Sequence, residues 1–234
     1  MRNYFVFDGV SSKDFGVWIS GSGTYMTPPR KYDEEPIPGR NGPVLIDHGT
    51  FNTVEVTYPA FIHVDFNAKY DALRAYLSSR SGYKRLEDTY HPEEYRLGYF
   101  YDGLTPTMTS TLCGGTLDIR FKCKPQRFLK TGELPVMFTA SGTIFNPTYF
   151  SSKPLIRVYG TGTITMAGVA IKVNKADGYT DIDCERMDCY KAGVNCNGNV
   201  TLTDGKFPEL PQGTSDIVLS GISRAEITPR WFTI

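Results

Sequence analysis

Enzyme chemistry needs a nucleophile beside a base, carboxylates converging on one substrate, a metal cluster or a phosphate cradle. The histidines, His48, His63 and His91, lack the His-x-x-x-His or His-Glu-x-x-His spacing that puts two ligands on one helix face. Cys184, Cys189 and Cys196 come nearest to a zinc site, but they lack the close pairs of a zinc ribbon and have no adjacent histidine. Gly160-Thr161-Gly162 has neither the third glycine nor the following helix of a nucleotide loop, so it reads as a turn between strands. Asp33-Glu34-Glu35 and Glu93-Glu94 are adjacent acids, and neighbours on a strand point to opposite faces rather than at one substrate. The expectation is a chain with no catalytic residue, no metal and no cofactor.

The elements that would carry these residues are mostly strands. Tyr4 and Val6, then Phe15, Val17 and Ile19, lie two apart around the breaker Asp8-Gly9, which predicts two short strands. The runs 32–36 and 44–48 flank Pro38-Gly39-Arg40-Asn41-Gly42-Pro43, where glycine supplies positive φ and proline ends pairing, giving a hairpin or projecting loop. A β run over 53–66 leads into one helix near residues 67–80. Phe66, Tyr70, Leu73 and Leu77 recur there at helical spacing, with Asp65 or Asn67 as cap and Gly82 as stop. Strands are expected over 83–86 and 95–104. The clearest strand sets Leu117, Ile119, Phe121 and Cys123 against Thr116, Asp118, Arg120, Lys122 and Lys124, and Pro125 is expected to end it.

From 126 to 153 no period is sustained, which suggests a boundary near residue 128. Beyond it, short β runs at 155–159, 163–166, 169–173, 179–184, 187–190, 200–202, 217–219 and 224–228 suggest a β-sandwich, with Ala167-Gly168 and Asp177-Gly178 as hairpin turns. Phe207 and Leu210 are placed to pin the loop from Gly205 to Pro211 on a core.

Composition sets the class. Twenty-five basic residues balance 25 acidic ones, which removes the positive field that draws a protein onto nucleic acid or anionic membranes. The 23 Gly, 15 Pro, 15 Tyr and 14 Phe suit a chain that reverses often and packs aromatics on pleated faces. No apolar stretch is long enough to span a bilayer, and the amino terminus reads as no signal peptide. Five cysteines, an odd number, argue against a disulfide framework and for folding in a reducing cytoplasm.

Two stretches resemble the distal tail protein family of long, non-contractile-tailed bacteriophages. The first joins Asp8-Gly9, Phe15-Gly16-Val17, Pro36-Ile37-Pro38-Gly39-Arg40-Asn41-Gly42 and Asp47-His48-Gly49-Thr50-Phe51-Asn52. The second joins Asp181-Ile182-Asp183-Cys184-Glu185, Met187-Asp188-Cys189-Tyr190-Lys191, Gly205-Lys206-Phe207-Pro208-Glu209-Leu210 and Glu226-Ile227-Thr228-Pro229-Arg230-Trp231. The resemblance implies a mainly β chain of two domains. Residues 1–128 would form a ring-forming belt, a β-sandwich with one helix and a long hairpin, and residues 129–234 a galectin-like β-sandwich.

It also implies a structural virion protein, made in the host cytoplasm and placed at the tail tip. There a homohexameric ring would join the tail tube protein to the tail-associated lysin or hub protein, with a lumen for DNA, near the tape-measure and receptor-binding proteins. A closed ring needs two complementary surfaces on each subunit. The hairpin tip, Gly39, Arg40, Asn41 and Gly42, and the charged strand face, Asp118, Arg120 and Lys122, are the candidates. A carbohydrate-binding module is the alternative, with Tyr149, Tyr159, Tyr179, Tyr190 and Trp231 as available aromatics.

Overall fold

A computed structural model describes residues 2–21, 23–110 and 114–234. Cys113, one of the five cysteines, lies outside them. The chain divides into two compact units, residues 1–127 with Ile234, and residues 128–233.

The first unit contains β1 (Phe5–Phe7), β2 (Val10–Ser11), β3 (Val17–Ile19), β4 (Arg30–Glu35), β5 (Val44–Phe51), β6 (Val54–Ile62) and the helix α1 (Phe66–Ser78). After the helix come β7 (Lys84–Asp88), β8 (Glu94–Phe100), β9 (Thr107–Ser110) and β10 (Gly114–Leu129). The path β2-β1-β7-β8-β10-β6-β3 runs through one sheet, with β9 also paired to β10, while β4 and β5 form a sheet of their own. The body expected as a sandwich is therefore built on a single sheet, with α1 adding Phe66, Leu73 and Leu77 to its core.

Strand alternation explains that core. On β10, Leu117, Ile119, Phe121 and Cys123 are buried while Thr116, Asp118, Arg120 and Lys122 are exposed, as their spacing predicts. On β1 the buried pair is Phe5 and Phe7 rather than Tyr4 and Val6, because four consecutive apolar residues leave the parity open until Phe121 packs edge-on against Phe5, ring centres 5.5 Å apart, and tilted against Phe7 at 4.9 Å. Pro125 does not end β10. The last pair with β6 is Cys123–Val54, so the missing N–H at Pro125 falls beyond that ladder.

The helix also departs from expectation at its ends. Asp65 takes the N-cap position at φ 53° without a side-chain cap, and instead pairs with Lys69 at 3.9 Å. The helix stops at Ser78, four residues before Gly82, with the Ser79 hydroxyl donating to the Tyr76 carbonyl at 2.7 Å. Phe15 belongs to a 3-10 turn, Ser12–Phe15, rather than a strand.

The second unit holds β11 (Val136–Phe138), β12 (Gly142–Asn146), β13 (Leu155–Tyr159), β14 (Gly162–Met166), β15 (Val169–Val173) and β16 (Tyr179–Asp183). It continues with β17 (Asp188–Lys191), β18 (Val194–Asn195), β19 (Val200–Leu202), β20 (Gly213–Ser220), β21 (Arg224–Thr228) and β22 (Phe232–Thr233). One sheet runs β11-β21-β13-β16-β17-β18 and the other β12-β20-β14-β15-β19. Ile156, Val158, Ile182 and Ile227 from the first meet Ile164, Met166, Ile171 and Ile217 from the second. Each such side chain stabilises the fold by roughly 1.5–3 kcal/mol.

Ala167 and Gly168, both at positive φ, turn β14 into β15, as expected. Asp177-Gly178 makes no hairpin, since β15 and β16 lie in different sheets and the pair sits in the crossover between them. Gly162 turns the other corner, from β13 to β14. Its φ is 149°, and a Cβ there would stand 2.3 Å from the Ser220 carbonyl oxygen. Leu210 is fully buried and Phe207 packs on the same core, so the loop before β20 is pinned as its two apolar residues predict.

Candidate functional site

The hairpin of β4 and β5 is built by local chemistry. At its tip the Arg40 amide donates to the Ile37 carbonyl at 3.2 Å around Pro38 and Gly39, with Gly39 at φ 82°, the pattern of a type II turn. At its base the pairing jumps from Tyr32–Asp47 to Arg30–Phe51, which bulges β5 around Gly49 at φ 66°. The Arg30 guanidinium clamps Asp47 across that bulge, Nε to Oδ1 at 3.1 Å and Nη2 to Oδ2 at 2.6 Å. That contact holds the Asp47 carboxyl below its ordinary range, helped by the Gly49 amide. His48 Nε2 lies 2.6 Å from Asp33 Oδ2.

No residue from Arg30 to Phe51 is buried. Register places Leu45 beside Glu34 on one face and Ile46 beside Asp33 on the other, and the two are 55% and 43% exposed. An isolated two-stranded ribbon cannot cover apolar side chains on both faces by itself. Gly39, Arg40, Asn41 and Gly42 sit at its end.

The other candidates lie together on the outer face of β10. Arg120 is already engaged within the subunit, Nη1 to Asp102 Oδ2 at 3.1 Å and Nε to Glu55 Oε1 at 3.9 Å. Glu55 also accepts from the Tyr101 hydroxyl, which pushes that phenol up to about 12. Lys122 lies opposite Glu55 in register, and Asp118 borders a depression of about 210 Å³ with Ser20, Thr105, Thr107 and Thr116. No hydrogen bond or ion pair joins this face to the hairpin tip among the described residues.

The groups that could do chemistry are spread or spent. His63 packs edge-on against Phe61 and His91 against Tyr25. Burial pushes the Cys123 and Cys184 thiols up to about 12 and Cys189 to about 11, away from the thiolate a nucleophile or metal ligand needs. Among the described residues no group of three or more His, Cys, Asp or Glu could hold a metal, and no helix is long and apolar enough to cross a membrane. Two buried carboxylates are bound bidentate by arginines, Asp181 by Arg157 at 2.7 and 3.0 Å and Asp183 by Arg230 at 2.7 and 3.0 Å. Asp183 and Arg230 come from separate stretches of the second resembling set, so that part of the pattern is a structural clamp. Sequence reading missed this pair, because the two residues lie 47 positions apart and no local spacing joins them.

The aromatics suited to a sugar platform are mostly committed. Trp231 is buried in the core, Arg224 lies 3.8 Å over the Tyr159 ring, and Arg157 lies 4.4 Å over Tyr179. Tyr149, at 83% exposed, remains open.

No family model and no curated protein matches the chain. Solved structures do. The chain superposes on the SPP1 Dit protein, described as a paradigm of the hub adsorption apparatus in Gram-positive infecting phages, with a TM-score of 0.78 over 100% of both chains at 14% identity. The chain has the Dit fold. A chain of the phage p2 baseplate, in its activated conformation with Sr, matches with a TM-score of 0.53 over 97% of each chain at 11% identity. The alignment with the SPP1 protein runs over the whole of this chain, residues of both units included.

Proposed function

We propose that this protein is a distal tail subunit of a bacteriophage, a structural component of the hub at the tail tip and not an enzyme. The observation that carries the reading is a Dit fold whose hairpin leaves Tyr32, Ile37, Leu45 and Ile46 exposed, so that a neighbouring copy is the natural cover. The SPP1 protein of the same fold is described as part of a hub adsorption apparatus, which supports the same place for this chain.

In this reading residues 1–128 form the belt of a hexameric ring around a lumen that passes DNA, and residues 129–234 form a galectin-like domain. The ring joins the tail tube protein to the tail-tip lysin or hub protein, near the tape-measure and receptor-binding proteins, in the assembled virion. The hairpin tip, Gly39 to Gly42, and the β10 face, Asp118, Arg120 and Lys122, are its candidate contacts. Because Arg120 is neutralised within its own subunit, the apolar hairpin is the stronger of the two.

Solution mass tests this. The purified protein should form a multimer of about six copies, and Leu45→Glu with Ile46→Glu should leave a folded monomer. A wild-type protein that stays monomeric at high concentration, or a double variant that keeps the full multimer mass, would refute the hairpin-closed ring.

A further inference from the structure

The chain contains Asn-Gly twice, at Asn41-Gly42 and Asn197-Gly198. Such a pair can modify itself. The glycine backbone nitrogen, on losing its proton, attacks the asparagine side-chain carbonyl carbon. A new C–N bond closes a cyclic imide, and the old one breaks to release ammonia. Water then opens the imide to aspartate or isoaspartate, so one amide and one water become one carboxylate and one ammonium. Nothing is oxidised or reduced. The step requires a side chain free to swing onto the next nitrogen and a backbone free to leave helical ψ, which points that nitrogen away.

The two sites differ on both counts. Asn41 is exposed at the hairpin tip, and no hydrogen bond holds its side chain or the Gly42 amide among the described residues. Gly42 has open space around it, with nothing within 4 Å of an added Cβ. Asn197 is tied at both ends of its amide. Its Oδ1 accepts from the Cys189 amide at 2.7 Å, and its Nδ2 donates to Asp188 Oδ1 at 2.7 Å. It also opens a 3-10 turn, Asn197–Asn199, which fixes its backbone near helical ψ.

We propose that Asn41 is a site of spontaneous deamidation in the folded subunit and that Asn197 is held out of the same chemistry. The product sets a new carboxylate at the end of a hairpin that already carries Asp33, Glu34, Glu35 and Asp47. A consequence rests on the hairpin being the assembly element. A tip covered by a neighbour cannot swing its amide onto Gly42, whereas an unassembled subunit ages into a form whose extra charge the interface must desolvate.

The test ages the full-length Leu45→Glu, Ile46→Glu double variant, whose hairpin tip no neighbouring copy covers, in warm neutral buffer beside a synthetic peptide of residues 36–45, and maps both by mass spectrometry. Position 41 should convert within about threefold of the peptide rate, and position 197 roughly tenfold or more slower, because two hydrogen bonds must break first. Asn41→Gln should remove the acidic species. An Asn41 that stays amidated while the peptide converts, or an Asn197 that converts as fast, overturns the assignment. Asn41→Asp is then compared with wild type by solution mass. A reduced multimer fraction supports the ageing effect and an unchanged one overturns it, whereas a monomeric wild type refutes the ring and leaves the mapped modification standing.

Discussion

The hairpin and the second unit each hold a bidentate arginine–aspartate pair of nearly equal length. Arg30 meets Asp47 at 2.6 Å, and Arg230 meets Asp183 at 2.7 Å. The side chains of the first pair are about 40% exposed, while the Asp183 side chain is 2% exposed. Exposure, not distance, separates their worth. Water competes for the exposed pair and salt screens it, whereas the buried carboxylate is cut off from water and depends on Arg230 together with the Glu185 and Arg186 amides. The acid equilibria follow the same division. Burial by itself would push the Asp183 carboxyl up, and the Arg230 clamp with the Arg186 and Glu185 amides outweighs it, so the net direction is down. The hairpin is thus a ribbon shaped by local contacts and stabilised little by them, and the second unit a core that depends on its clamps.

The largest effect expected from that contrast is Asp183→Ala, which leaves Arg230 without its carboxylate and should cost about 3–5 kcal/mol in urea unfolding. A loss below about 1 kcal/mol would mean that the buried pair is no stronger than the hairpin pair. Next come the glycines. Gly162→Ala combines positive φ with a 2.3 Å clash against the Ser220 carbonyl and should cost about 3 kcal/mol, while Gly42→Ala meets only left-handed strain of roughly 1 kcal/mol. Equal losses would erase the difference between a packed corner and an open tip.

The third test is acid. A carboxyl whose folded pKa lies below its unfolded value contributes stability that is present above the unfolded pKa, about 4, and is lost as pH falls through the lower folded value. Asp183→Asn should flatten that acid limb, measured as urea midpoint against pH, by less than Asp183→Ala costs at neutrality. An unchanged limb would assign acid sensitivity elsewhere. The smallest effect belongs to Asp47→Ala, which should leave the urea midpoint nearly unchanged, and the more so in high salt, because water and ions already screen the exposed pair. A larger, salt-resistant loss would show that the hairpin pair is shielded from water in solution.

Much of this was legible in the chain, and the reason is periodicity. The strands at 155–159, 169–173, 200–202 and 224–228, the single helix, and the buried face Leu117-Ile119-Phe121-Cys123 all follow from the spacing of apolar residues, which local geometry turns directly into faces. The turn chemistry of Pro38 to Pro43 likewise announced a reversal there.

Where local signals tied, tertiary packing decided. Tyr4-Phe5-Val6-Phe7 could bury either parity until Phe121 chose one. Asp177-Gly178 fits a hairpin equally well as a crossover, and the sheet partners of β15 and β16 made it the latter. β11 and β12, over Val136–Phe138 and Gly142–Asn146, are short and weakly periodic, and exist because β21 and β20 offer them edges. The clamp of Asp183 by Arg230 spans 47 residues, beyond any local pattern. Which residues seek burial and where the chain turns are properties of neighbours along the backbone, and the order of residues suffices to set them. Partner, register and the worth of each charge depend on what water can reach, and that is defined only once the sheets have closed.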